Sequence, residues 1–233
     1  MAHPVTLRYK RALNGLQRQT AAAVGQVFAS LPSYDQQRSS DFIAAVVPVV
    51  GAAQQQASAL TAAYLGQILP TIADGSVDDL GVPADEVTGA AARNGTEPGD
   101  VYRRSFVGLW TALAAGVAIE VAVEAARARI EQTVSTDVNL AARSTSREIL
   151  SANPDVQRYQ RVSSGGCDLC ADADGNVSSS DDPMPLHPGC QCVAEPLPGD
   201  PPLSAQDDDV VAVEDHDELG PLLWAAGDKF TGV

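Results

Sequence analysis

Apolar residues near the start of the chain recur at intervals of three and four, which is the spacing of one face of an α-helix. Over residues 5–31 these positions are Leu7, Leu13, Leu16, Val24, Val27 and Phe28. Pro32 interrupts the pattern, because proline lacks the amide hydrogen that a continuing helix needs. The pattern therefore predicts a first helix over residues 5–31.

A second apolar segment, Phe42–Ala53, runs without a charged residue. Ser39–Asp41 before it are residue types that cap helix N-termini, and Pro48 inside it predicts a kink. The segment is too short to cross a bilayer as a helix. We therefore expect a buried or interfacial helix that begins at Phe42 and continues to about Leu69.

Glycine and proline punctuate residues 70–98, which predicts a connector with at most one short helix near Pro83. Asp100 then offers an N-cap for a long helical pattern that runs from Val101 to about Ala152. A break near Thr133–Asp137 would divide this pattern into two helices.

The stretch Phe106–Val123 has the apolar character of a membrane span, but it contains Glu120 and runs into further charged residues in the same helical frame. A charge in the middle of a membrane costs several kcal/mol. We therefore expect this stretch to pack against another helix, and we predict no membrane association.

The character of the chain changes after the helical region. Gln157–Val162 alternates enough to predict a short strand, and the proline-rich Pro196–Pro202 marks the end of the region that follows. Beyond it the chain is acidic and is expected to be disordered up to a small apolar cluster, Leu222, Leu223, Trp224 and Phe230. Such a cluster is either a docking peptide or a segment that packs back on its own domain.

Composition and charge narrow the function classes. Hydrophobic residues make up 45% of the 233 residues but aromatic residues only 5%, which suits long helices better than one thick core. The net charge of −15 argues against a free-standing nucleic-acid-binding protein. Residues 1–20 nevertheless carry four basic and no acidic side chains, which form either a solvated surface or an arm that meets DNA or an acidic partner.

All four cysteines and one of the three histidines lie within 26 consecutive positions. Cys167 and Cys170 form a Cys-x2-Cys pair, and His187, Cys190 and Cys192 form a His-x2-Cys-x-Cys group. Close pairs of such donors on tight turns are typical of a tetrahedral Zn²⁺ site. The preferred ligands are Cys167, Cys170, His187 and Cys190. Cys192 can replace Cys190 or His187, and the remaining donor would then lie beside the coordinated ones.

Four or five strong donors favour a closed, structural zinc site over a catalytic site, which keeps one position open for water. Asp168, Asp172 and Asp174 are expected to be solvated. No catalytic residue is predicted, because His3 and His216 lie in expected tails. Two disulfide bonds are the alternative use of four cysteines, but no apolar signal segment precedes them, and a histidine among them favours metal.

The spacing of this region also resembles a known pattern. Tyr159-Gln160-Arg161-Val162, Cys167-x2-Cys170, Pro185-Leu186-His187-Pro188-x-Cys190-x-Cys192 and Pro196 are similar to the C-terminal signature of the phage Mu F-like minor head proteins. The resemblance covers residues 154–198, about a fifth of the chain. It implies a non-catalytic virion component of a tailed bacteriophage that acts at or near the portal in head morphogenesis.

The same resemblance implies partners and a location. The portal protein, the major capsid protein or both would contact several copies of the chain in the phage head, after assembly in the host cytoplasm. The basic N-terminal segment is a candidate for contact with packaged DNA. A zinc-knuckle nucleic-acid-binding module and, further away, a zinc-dependent enzyme stay open as alternatives.

These patterns together predict a mainly α protein. An elongated helical region is followed by a small zinc-knuckle α+β module and a disordered acidic tail. The predicted units are 1–32, a basic helix or arm; 33–153, an alanine-rich helical domain; 154–199, the zinc-knuckle module; and 200–233, the acidic tail with its apolar end.

Overall fold

The structure, a computed structural model, describes residues 2–72, 81–163, 165, 167–204 and 211–225. The helices are α1 (Pro4–Ala29), α2 (Gln36–Ile68), α3 (Ala84–Val87), α4 (Pro98–Ala114), α5 (Ile119–Ser151) and α6 (Asp168–Asp172). The strands are β1 (Arg158–Val162), β2 (Val177–Ser179), β3 (Val193–Leu197), β4 (Val211–His216) and β5 (Gly220–Ala225). The predicted fold class, mainly helical with a small sheet region towards the C-terminus, is confirmed.

The first two helices follow the apolar pattern closely, but α2 begins earlier than predicted. The Asp35 carboxylate accepts a hydrogen bond from the amide of Arg38 at 2.9 Å and so caps the helix at Gln36. The expected start at Phe42 is therefore wrong. Pro48 lies inside α2, as predicted.

The break in the long helical pattern lies elsewhere than expected. Gly116, with a φ of 83°, forms the turn between α4 and α5. Thr133–Asp137, the predicted break, is instead part of α5. Its polar side chains are satisfied within the fold, because Thr133 and Thr136 donate to carbonyl groups one turn earlier and Asp137 pairs with Arg93. The helix therefore continues through this polar stretch.

The predicted packing of Phe106–Val123 takes the form of a helical hairpin, with Gly116 at its turn. Phe106 and Leu109 are buried against neighbouring helices, whereas Val121 near the turn is exposed. In the described part of the chain one segment, Gln36–Thr71, is long and apolar enough to cross a membrane by length and composition. This segment contains α2, which contacts α1, α4 and α5.

Two hydrophobic clusters lie towards opposite ends of the helical region. The first, which we call the aromatic cluster, lies between α1, α2, α4 and α5 and contains Phe28, Phe42, Phe106, Leu109 and Ile130. The second, which we call the junction core, lies where α1, α2 and α5 meet the strands and contains Leu13, Tyr64, Leu140, Tyr159 and Cys192. The candidate site borders the junction core.

The strands form two small antiparallel sheets, one with the order β2-β1-β3 and one the hairpin β4-β5. β1 confirms the predicted strand at Gln157–Val162. The hairpin is joined to the segment between β2 and β3 through Leu186, whose amide donates to the Pro221 carbonyl at 3.1 Å and whose carbonyl accepts from the Leu223 amide at 2.7 Å.

The hairpin corrects the expectation of disorder in the acidic tail over residues 211–225. Leu222 and Leu223 are buried, so this part of the predicted apolar cluster packs back on its own chain. Glu218 at the hairpin turn is also buried, and its carboxylate contacts Arg93 at 2.9 Å and Arg104 at 2.6 Å. Phe230 lies outside the described residues. The division of the chain into four units stays a prediction.

Candidate metal centre

The first pair of donors lies on the turn that follows β1. Cys167 is the N-cap of α6 in an extended conformation, and its sulfur accepts a hydrogen bond from the Cys170 amide at 3.4 Å. This amide-to-sulfur hydrogen bond caps the first turn of α6. Gly165, with a φ of 67°, allows the chain to turn before the pair.

The second group of donors lies on the turn that leads into β3. The Cys190 amide donates to the His187 carbonyl at 2.9 Å, and Gly189 adopts a φ of 78°. The Cys192 amide donates to the Cys190 sulfur at 3.4 Å. This second turn therefore repeats the amide-to-sulfur arrangement of the first turn.

The fold brings all five predicted donors together in two groups that share one residue. Cys167, Cys170 and His187 form one group, and Cys170, Cys190 and Cys192 form the other, each with its ligand atoms within 4.8 Å of one another. The Cys170 sulfur lies 3.0 Å from His187 Nε2, 3.2 Å from the Cys192 sulfur and 3.9 Å from the Cys190 sulfur. Cys170 is therefore the common member of both groups.

These residues fit a metal ion by donor type, and the Cys170 and Cys190 sulfurs also fit by separation, whereas the Cys170 and Cys192 sulfurs, 3.2 Å apart, lie closer than two sulfur ligands of one tetrahedral ion. A tetrahedral ion with metal–sulfur bonds of about 2.3 Å holds its sulfur ligands roughly 3.8 Å apart, close to the separation of Cys170 and Cys190. His187 Nδ1 lies 3.0 Å from the Pro188 carbonyl, a partner that would orient the ring and leave Nε2 for the metal. All four cysteines are free thiols. Which four of the five donors bind stays a prediction.

Electrostatics favour negative charge at the buried end of this cluster. Hydrogen bonds from Cys170 and Cys192 hold the pKa of Cys190 well below its usual range, and the Arg161 guanidinium lowers it further. The bonds to Cys190 and Cys192, together with burial, raise the pKa of Cys170. Arg161 Nη1 lies 3.8 Å from the Cys190 sulfur. Negative charge on this group of sulfurs is therefore favoured beside a buried cation, Arg161.

Side chains from α1 and α5 hold the second donor turn in place. The Asn139 amide group on α5 donates to the Cys190 carbonyl at 2.8 Å, and Gln17 on α1 donates to the same oxygen at 3.4 Å. Thr136 Oγ1 accepts from the Gly189 amide at 3.0 Å. The donor turn is thus part of the helical packing. Sequence reasoning missed these anchors, because nothing local distinguishes them from other polar helix residues.

The other predicted polar residues lie away from the donors. Asp168, Asp172 and Asp174 are exposed, in accord with the expected solvation. His3 and His216, expected in tails, instead have local structural contacts. His3 Nδ1 accepts from the Val5 amide at the start of α1, and His216 Nδ1 accepts from the amides of Glu218 and Leu219 at the hairpin turn.

Arg161 is the one sequence-signature cation drawn into the site. Its side chain is only 3% exposed, and Nη2 donates to the Pro185 carbonyl. The neighbouring strand residue Arg158 instead pairs with Asp200 at 2.8 Å. Strand alternation explains the difference, because the two residues lie on β1 at positions of opposite parity and therefore on opposite faces of the sheet.

Comparison of the chain with models of known protein families, with curated proteins and with solved structures found no match.

Proposed function

We propose that the protein is a minor head protein of a tailed bacteriophage, a non-catalytic virion component that acts at or near the portal during head morphogenesis. The proposal rests on the resemblance of residues 154–198 to the signature of the phage Mu F-like proteins. The observation that carries it is the convergence of all five signature donors in two groups that share Cys170 and are anchored to the helical region.

The metal in this proposal is a structural Zn²⁺. Three thiols and an imidazole, or four thiols, form the donor sets that structural zinc sites use. Cys190 and Cys192 are only 1% and 0% exposed. A buried centre with more strong donors than coordination positions favours a closed site, which holds no water for catalysis. The zinc would stabilise a region of short strands by joining the turn after β1 to the turn before β3.

A surface for assembly partners lies at the turn between α4 and α5. Its exposed apolar side chains are Val117, Ile119 and Val121, each between 39% and 62% exposed. Clusters of this kind on a soluble protein mark interaction sites. We assign this turn to contact with the portal or the major capsid protein, with several copies of the chain in each head.

The first experiment measures metal in the purified full chain by inductively coupled plasma mass spectrometry, together with free-thiol counting. The proposal expects about one zinc per chain and four reduced thiols. A chain without metal and with two disulfides would overturn the zinc assignment, and with it the assembly role in a reducing cytoplasm.

The second experiment tests incorporation into heads. The chain is expressed with the portal and major capsid proteins of the same genome, and assembled particles are purified and analysed by mass spectrometry. We expect the wild-type chain in the particles and a several-fold loss for Ile119→Asp. Val49→Asp, an exposed valine on α2, is the matched control and should be incorporated normally. Particles that assemble fully without the wild-type chain would contradict the proposal.

One observation favours a nucleic-acid-binding function as the second candidate. Arg8, Arg11 and Arg18 are exposed on α1, and their spacing places them on one side of the helix. Binding through such a stripe would weaken steeply with salt. Fluorescence anisotropy with a DNA duplex at two salt concentrations tests this function, and replacement of the three arginines by glutamine should abolish binding. Binding that the replacement leaves unchanged would contradict it.

A further inference from the structure

A buried arginine on α5 has no carboxylate partner among the described residues. Arg143 is 8% exposed, and its Nη2 donates to the Leu219 carbonyl at 2.5 Å. The other two nitrogen atoms of this guanidinium, Nε and Nη1, have no hydrogen-bond partner in the described part of the chain. An unpaired buried charge and unsatisfied buried donors each cost free energy, so a compensating group is expected.

Arg143 lines a small cavity between α5 and the sheet β2-β1-β3. The cavity has a free volume of about 20 Å³ and also borders Tyr159, Ser146 and Ser180. The Tyr159 side chain is only 3% exposed beside this cavity. A volume of roughly 10–15 Å³ suffices for one water molecule. The space therefore accommodates one or two waters or a single small ion.

The charges around the cavity favour a single negative ion. Arg143 and Arg147 both line it, and Asp182 is the carboxylate that lines it with them. Arg147 is half exposed and pairs with Glu148 at 3.7 Å, and Asp182 is exposed. The buried cation without an ion pair among the described residues that line the cavity is therefore Arg143. The Cys190 sulfur also interacts electrostatically with Arg143. This sulfur lies 3.8 Å from Arg161 Nη1, however, so a thiolate at Cys190 already has a cationic partner.

We infer that this cavity binds one small monovalent anion, of the size of chloride, against the Arg143 guanidinium. A water molecule would satisfy a donor but would leave the buried positive charge uncompensated. The ion would neutralise the charge between α5 and β1 and so stabilise the packing of the sheet on the helices. The cavity also borders Cys192, one of the five candidate metal donors, but the inference does not depend on the proposed function.

Thermal unfolding of the full chain tests the inference. Sodium chloride, sodium bromide and sodium gluconate are compared at equal ionic strength, because gluconate is too large for the cavity. We expect chloride and bromide to raise the unfolding midpoint by about 2–4 °C over gluconate when the halide is near ten times its dissociation constant. Arg143→Met should abolish this difference, and Arg8→Met, which removes an exposed arginine, should keep it.

A second measurement decides the question even where Arg143→Met does not fold. Crystals of the wild-type chain grown or soaked in bromide are measured at the bromine absorption edge. An anomalous peak beside Arg143 supports the site. Density that shows water alone there, or equal unfolding midpoints in halide and gluconate, would overturn the inference.

Discussion

The aromatic cluster and the metal centre are held together by different physical means. In the aromatic cluster Phe28 packs edge-on against Phe42 and Phe106, with ring centroids 5.7 and 5.3 Å apart. In the metal centre the buried groups are thiols, a guanidinium and polar helix side chains. Burial of apolar area is non-directional and tolerates many sequences, whereas thiol and amide contacts depend on particular atoms. Loss of a thiol should therefore affect mainly the metal centre, and loss of an apolar side chain should affect mainly the aromatic cluster.

A buried polar network joins the helices to the hairpin between these two regions. Arg93 contacts both the Asp137 carboxylate and Glu218, at 2.9 Å for the latter, and Tyr102 also donates to Asp137. Burial raises the pKa of Tyr102, so its hydroxyl remains a proton donor. Each member of the network comes from a different segment, and the network fixes the hairpin turn against α4 and α5.

Removal of the shared donor should have the largest effect. Cys170→Ser takes one ligand from both groups of donors, so we expect the chain to lose its zinc completely. Because the binding free energy of a structural zinc, on the order of 10 kcal/mol, contributes to folding, the sheet β2-β1-β3 should become protease-sensitive. Metal analysis and limited proteolysis measure the two effects, and the α-helical circular dichroism should largely persist.

Cys192→Ser is the matched control for this prediction, because Cys192 belongs to one group only. It should retain zinc through the remaining four donors. Equal loss of zinc from both variants would show that Cys170 has no special position. Retention of zinc by Cys170→Ser would contradict the predicted ligand set.

The complementary substitution removes a central aromatic side chain from the aromatic cluster. Phe28 is fully buried, and Phe28→Ala should lower the free energy of unfolding by about 4 kcal/mol through lost burial and the cavity left behind. Zinc content should stay unchanged. Val107→Ala, at a half-exposed position on α4, should cost less than about 0.5 kcal/mol. Chemical denaturation with metal analysis checks both. Loss of zinc from Phe28→Ala would show that the regions are not independent.

A change in the joining network should affect both regions. Arg93→Met leaves the buried Asp137 carboxylate with Tyr102 as its remaining partner, and we expect a loss of about 3 kcal/mol. Hydrogen exchange should show faster opening of the β4-β5 hairpin. Arg38→Met removes an exposed ion pair with Asp41 and should have almost no effect on exchange. Unchanged hydrogen exchange in the hairpin of the Arg93→Met variant would show that the network does not link the hairpin to the helices.

The sequence predicted what depends on local spacing. The three-and-four pattern identified α1, the alternation at Gln157–Val162 identified β1, and the two Cys and His groups identified the five donors that the fold brings together. Each of these signals lies within a few residues of the feature it predicts. The sequence could not select four ligands among the five donors, because that choice depends on how the two donor turns pack against each other.

Contacts between distant segments explain the failures. Thr133–Asp137 has the polarity of a break, but Arg93, 44 positions before Asp137, satisfies its carboxylate inside the fold. The turn at Gly116 lies among alanines and valines that leave the helical pattern unchanged. The hairpin Val211–Ala225 has the acidic composition of a tail, and it folds because Leu222 and Glu218 find partners on the rest of the chain.

The smallest predicted effect concerns the contact between α5 and the second donor turn of the metal centre. Asn139→Ala removes the 2.8 Å hydrogen bond to the Cys190 carbonyl and leaves that oxygen with the longer bond from Gln17. We expect a loss of about 1 kcal/mol, equivalent to roughly a fivefold lower zinc affinity in competition with a chelator. Gln132→Ala removes a more exposed, 3.3 Å bond to the Pro188 carbonyl and should change the affinity less. If Asn139→Ala leaves the affinity unchanged while Gln132→Ala lowers it, the donor turn is held at its outer edge rather than through its buried carbonyl.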